Sequence, residues 1–165
     1  MPSNRDPKYN STVNPKYNSS INPDYNSTIN PKYNSSINPN YNSTINPRYN
    51  SSINPKYNSS INPKYNSTIN PNYNSAVNPK LNRRLAGFYC FSTQIKFNAY
   101  LFRANQKVWL LFGEDLTWIG YAVSNENGGF NVFDLDAEWV AYYSDNSKAG
   151  LNLFTLSAEW IGFTT

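Results

Sequence analysis

The chain has no histidine and one cysteine, Cys90, among its 165 residues. That excludes an intrachain disulfide and a zinc site of the Cys/His kind, and no cofactor is expected. No apolar stretch approaches the ~18 residues of a membrane-spanning helix, and the opening Met1-Pro2-Ser3-Asn4-Arg5-Asp6 lacks the apolar centre of a secretory signal. These absences predict a chain without a membrane span, cytoplasmic by default unless exported by another route. Two further absences are local. Proline is missing after Pro79 and glycine before Gly87, and all four tryptophans lie at or beyond Trp109. Acids are scarce in the first half. Residues 1–85 hold ten Lys/Arg against Asp6 and Asp24, net +8, and residues 86–165 hold four against eight, net −4. A boundary near residue 85 thus separates a basic arm, 1–85, from an acidic aromatic head, 86–165.

The arm repeats one octapeptide nine times from Asp6 to Leu81, as in Asn14-Pro15-Lys16-Tyr17-Asn18-Ser19-Ser20-Ile21. Proline suits a turn, and the Asn before it can close an Asx-turn on the backbone that follows. The remaining five residues predict a short strand with Tyr17, Ser19 and Ile21 on one face. In alternate octads the residue after proline is always basic, in the series Lys16, Lys32, Arg48, Lys64, Lys80. That doubles the repeat to 16 residues. The pattern predicts a narrow β-solenoid of 16-residue coils with two short strands each, Tyr and Ile ladders inside and Asn ladders at the turns. The competing expectation is a flexible tether, since only Tyr and Ile/Val offer apolar area per octad.

Three motifs in the arm carry functional alternatives. NPxY resembles an adaptor-binding signal, but fixed-period tandem copies favour a structural role. Asn-Ser-Ser/Thr occurs eight times and matches the N-glycosylation acceptor, a by-product of the repeat if no secretory route is used. The basic series Lys16, Lys32, Arg48, Lys64, Lys80 is a candidate polyanion-binding stripe for nucleic acid or an acidic glycan, weighed against simple solubility charges.

The head has a longer period. Phe91 and Phe97, Phe112 and Trp118, Phe133 and Trp139, Phe154 and Trp160 are pairs six residues apart, and successive pairs are 21 apart. Each segment reads strand, turn, strand, with a small residue (Ala99, Gly120, Ala141, Gly162) two after the second aromatic. Four equal hairpins predict a cyclic four-fold array that protects its sheet edges. No catalytic constellation is visible. Glu138 and Glu159 occupy equivalent repeat positions and would be spread around a ring. Cys90 stands where other segments have Leu or Val, as a small core residue. Trp118, Trp139 and Trp160 are a candidate aromatic binding surface, with core packing as the competing role.

The repeated LFxL…EWIGF hairpins resemble the bacterial four-fold β-flower domain over about residues 86–165, departing in the first segment, where Phe97-Asn98-Ala99 replaces Trp-Ile-Gly. The resemblance implies a fold and brings no activity. The combined expectation is an all-β, non-enzymatic structural or interaction protein. Its arm would be a spacer or self-assembling rod, and its head a cap or binding module. Its partners would be copies of itself, as an oligomer or filament, or another protein. The alternative is a polyanion-binding module using the basic stripe.

Overall fold

The computed structural model of the protein describes all 165 residues. Every strand lies in the second half: β1 (Gly87–Ser92), β2 (Phe97–Arg103), β3 (Val108–Gly113), β4 (Trp118–Ser124), β5 (Phe130–Phe133), β6 (Trp139–Asp145), β7 (Leu151–Thr155) and β8 (Trp160–Thr164). They pair antiparallel in sequence order, and β1 closes on β8 through Cys90–Thr164, Phe91–Phe163 and Ser92–Gly162, so the sheet is a closed eight-stranded barrel. Closure removes the free edges an open sheet would expose.

The hairpins are built alike because their sequences are. A bulge falls at Cys90/Phe91, Leu111/Phe112, Val132/Phe133 and Leu153/Phe154. The turn residue at Ile95, Leu116, Ala137 and Ala158 is left-handed, with φ of 64°, 62°, 63° and 66°. The small residues beyond the turns allow close approach. A Cβ on Gly120 or Gly162 would meet the carbonyl oxygen of Phe133 or Phe91 at 2.6 Å.

Alternation then sorts the strands. Cys90, Ala99, Leu101, Val132, Ala141 and Tyr143 form one buried cluster inside the barrel, with Trp109 stacked on Phe88 at 5.3 Å between ring centroids. The other face of the same strands is also apolar: Val108, Leu110, Phe112, Tyr121, Val123 and Phe133. A barrel of this size is filled by its own side chains, so this outer face needs a second layer.

The arm supplies that layer, and it is not a β-solenoid. Residues 1–86 contain no strand, so the two short strands per 16-residue coil do not form. Each octad instead folds into two tight turns. In the octad from Asn14, the Asn14 carbonyl accepts from the N–H groups of Tyr17 and Asn18 at 3.0 and 2.9 Å. Its side-chain Oδ1 accepts from Lys16 N at 2.9 Å, and its Nδ2 donates to Pro7 O at 2.7 Å. Asn18 then caps the 3₁₀ turn Ser19–Ile21, accepting from Ser20 N at 3.2 Å, while its Nδ2 donates to Thr12 O at 2.6 Å. Two asparagines per octad thus satisfy the backbone locally. Side-chain bonds of this kind compete with a sheet ladder, and here they replace it. Face assignment changes with them. Tyr and Ile do not share an interior: the nine arm tyrosines are 68–80% exposed, whereas Ile21, Ile29, Ile45, Ile53, Ile61 and Ile69 are at most 4% exposed.

The buried isoleucines face the barrel, and the arm wraps it as a belt. Asn152 Nδ2 on β7 donates to Ile21 O at 3.1 Å, and Asn131 Nδ2 on β5 donates to Ile45 O at 3.0 Å. Ile61, Ile69 and Val77 pack in the cluster of Val108, Leu110 and Phe112 on β3. The belt's first turns are fastened at the β1/β8 seam. Arg5 Nη2 donates to Gly87 O at 2.8 Å and to Thr165 O, and Thr165 Oγ1 donates to Arg5 O.

Candidate functional site

The belt and barrel meet in a register that neither period displays alone. The two anchors Ile21 and Ile45 are 24 residues apart, three octads, while their partners Asn152 and Asn131 are 21 apart, one hairpin. The same offset aligns the hairpin turns with the belt. Lys32 Nζ pairs with Glu159 Oε1 at 2.8 Å, and Lys56 Nζ with Glu138 Oε1 at 2.5 Å. The next step in each series sets Lys80 beside Thr117, where a hydroxyl replaces the carboxylate.

Each of these points lines a cleft between belt and barrel. One, of about 330 Å³, is walled by Asp24, Asn30, Lys32, Tyr33, Ala158, Glu159 and Trp160. A second, of about 310 Å³, contains Arg48, Asn54, Lys56, Tyr57, Glu138 and Trp139. A third, of about 360 Å³, contains Asn72, Asn78, Lys80, Leu116, Thr117 and Trp118. The indole N–H groups of Trp160 and Trp118 donate to Gly162 O and Gly120 O at 2.7 and 2.8 Å, which fixes the planes of both rings. Trp139 differs. Its Nε1 is buried without a partner, and the Arg48 guanidinium lies 5.4 Å from the ring centroid.

The basic series and the tryptophans, two separate expectations from the sequence, are therefore partly brought together. Lys32, Arg48 and Lys80 each line a tryptophan cleft. Lys16 lines a fourth, about 420 Å³, whose wall is again Trp160 with Thr93, Gln94 and Ile95. Lys64 lies in none of these clefts, and its Nζ stands 5.9 Å from the Tyr65 ring, as that of Lys16 stands 5.5 Å from Tyr17. The 16-residue series thus divides: Lys32 is engaged by a carboxylate, Arg48 covers a ring, and Lys16 and Lys64 rest on neighbouring tyrosines. Lys56 falls outside that series yet makes the same contact as Lys32. The signal for it was present as the 24-residue class Lys8, Lys32, Lys56, Lys80, all lysine.

Electrostatics follow the contacts. The hydrogen bond to Glu159 raises the Lys32 ammonium pKa. Bonds from the Thr117 backbone and hydroxyl hold the Asp115 carboxyl below its usual range, and Lys80 adds attraction. Inside the barrel, burial pushes the Cys90 thiol up to about 12, against a weaker opposing bond from Tyr143 Oη, 3.6 Å from Sγ. Glu138 and Glu159 lie in different clefts, each held by its own lysine. No group of three or more His, Cys, Asp or Glu side chains is placed to hold a metal ion, and no helix is long and apolar enough to cross a membrane. No family model, no curated protein and no solved structure matches this chain.

Proposed function

We propose that this chain is a non-enzymatic interaction protein: a barrel made rigid by its own belt, presenting a repeated outer surface to a partner. The observation that carries this is the tyrosine row, nine rings at eight-residue spacing, each 68–80% exposed. A folded monomer seldom displays that much aromatic surface unless something binds it, and the isoleucines of the same octads already supply the packing. The 21-residue recurrence of bulge and left-handed turn residue supports a four-fold cyclic array of hairpins of the β-flower kind. End-to-end stacking of the arm as a rod gains no support from this geometry, because the arm's apolar face is spent on the barrel and its start is fastened by Arg5.

The test is sedimentation velocity of the full chain alone, with heparin and with soluble neutral polysaccharides, beside the variant Y33S/Y41S/Y49S/Y57S. Self-association or a partner-dependent shift that the variant loses is the expected result. A variant that sediments as the parent does in every mixture overturns the proposal.

The polyanion alternative has its own support. The belt half carries the net +8, and the Lys16 and Lys64 ammonium groups rest on tyrosine rings rather than on carboxylates. It expects retention on heparin that falls steeply with salt. Retention should drop in K16E/K64E more than in K32E, whose parent lysine is already paired with Glu159.

A further inference from the structure

We propose that the Trp160 cleft is a subsite for one neutral pyranose ring, with the Trp139 and Trp118 clefts as weaker copies; this rests on the interaction-protein reading and specifies its ligand. The argument begins with what the cleft presents. Trp160 forms an aromatic wall whose plane is fixed by its bond to Gly162 O at 2.7 Å. The same cleft is lined by an ammonium and a carboxylate, Lys32 and Glu159, paired at 2.8 Å but with side chains 45% and 61% exposed. Tyr33, Asn30 and Asp24 complete the rim. The site thus sets one indole among solvent-exposed donors and acceptors, and its exposed lining is mostly polar.

Few ligand classes match that combination. A polyanion does not, because Glu159 neutralises Lys32 and Asp24 leaves the cleft with an excess of negative charge. An apolar ligand would strip water from an ion pair without compensating it, which is unfavourable. An extended peptide has no free strand edge to join, since the barrel is closed. A sugar ring fits on each count. Its axial C–H face can stack on an indole, and its hydroxyls can replace solvent on the exposed ammonium and carboxylate at little cost. The volume, about 330 Å³, lies at the lower end of the ~300–1,000 Å³ range of small-molecule sites and suits one ring of a longer chain.

The other two clefts share the plan and depart from it in ways that rank them. In the second, Arg48 covers the Trp139 ring and must move aside for a ligand to stack. In the third, Thr117 replaces the carboxylate. Since all three are held at one register on a closed barrel, a polymer that reaches more than one gains by effective concentration over a single ring.

The experiment is tryptophan fluorescence of the full chain titrated with cellohexaose, chitohexaose, maltohexaose and xylohexaose, with a heparin hexasaccharide as the anionic probe. The wild type, W160F and the surface variant E159Q are compared, each checked by its unfolding transition. A saturable change with at least one neutral hexasaccharide is expected, insensitive to salt and weakened about tenfold or more in E159Q, the range for a lost hydrogen bond to a charged group. Loss of the change in W160F supports the same site. The proposal is overturned if no neutral hexasaccharide gives a saturable change, or if E159Q and W160F both bind as the parent does. Binding of the heparin probe alone, with steep salt dependence, also overturns it while leaving the interaction-protein reading intact.

Discussion

Tyr41 and Ile45 stand four residues apart in one octad and have opposite surroundings: the tyrosine is 78% exposed and the isoleucine 2%. Truncating each to alanine separates surface from core. Y41A should change stability by no more than about 0.5 kcal/mol, as exposed positions do. I45A should cost about 2–5 kcal/mol, the range for deleting a buried aliphatic side chain. Equal effects in chemical denaturation would contradict the belt-on-barrel packing. Asn46 tests the turn chemistry. It is 3% exposed, accepts from Arg48 N at 2.9 Å and donates to Pro39 O at 2.9 Å. N46A should therefore cost about 1–3 kcal/mol, since it strands the buried Pro39 carbonyl and the partly buried Arg48 N–H. Cys90 supplies a pH dependence. Burial raises its thiol from 9.0 to about 12, so the native state keeps a proton that the unfolded chain releases. The unfolded state then binds fewer protons, and stability falls as pH rises. From Cys90 the expected slope is about 1.4 kcal/mol per pH unit between those two values. A thiol reagent should label Cys90 only on unfolding; rapid labelling of the native protein at pH 8 would contradict its burial.

Elements here depend on one another. No octad has a partner strand, and its own hydrogen bonds reach back only one octad along the chain, as from Asn22 to Pro15 and from Asn30 to Pro23. Such a chain of turns is held in place by its contacts with the barrel. Its beginning depends on Arg5, whose guanidinium bonds Gly87 O and Thr165 O and lies 4.9 Å from the Tyr89 ring centroid. R5A should loosen the first octads. Amide exchange over residues 6–22 is expected to quicken by about tenfold or more, the scale of one charge-assisted bond. Barrel amides such as Leu110 and Tyr121 should keep their protection. Unchanged exchange in the first octads would show that Arg5 is not the fastening.

Taken together, the belt and barrel form one two-layer body. The outer barrel face carries Phe112, Tyr121, Phe133, Tyr142 and Phe154, all at most 2% exposed beneath the belt or its flanks. Stripped of residues 1–85, the barrel would present this face to water as an extended aromatic patch. The fragment 86–165 is therefore expected to aggregate or bind a hydrophobic dye. The fragment 1–85, deprived of the surface its isoleucines cover, should be unstructured by circular dichroism. Calorimetry of the full chain should then show a single cooperative transition. A monomeric barrel fragment melting at the temperature of the full chain would make the belt an accessory rather than half of the fold.

Much of this was legible in residue type. The 21-residue spacing of Phe112/Trp118, Phe133/Trp139 and Phe154/Trp160 marks strands and turns, because period-2 alternation and turn residues act locally; the bulge in each hairpin appears only in the pairing register. The Asx-turn at each Asn-Pro was legible for the same reason. The second turn of each octad was not. The sequence Asn-Ser-Ser-Ile suits a strand as well as a capped 3₁₀ turn, and nothing within five residues says which carbonyl Asn18 Nδ2 will reach; it is Thr12 O, one octad back. The pairing of Lys32 with Glu159 and of Lys56 with Glu138 was further out of reach. Three octads match one hairpin because 24 residues of belt cover the arc that 21 residues of barrel generate. That arc depends on strand number and tilt in the closed sheet. Local chemistry therefore determined the turns, the strands and the two periods, while the closure of the barrel decided the register in which belt and barrel bring lysine, carboxylate and tryptophan together.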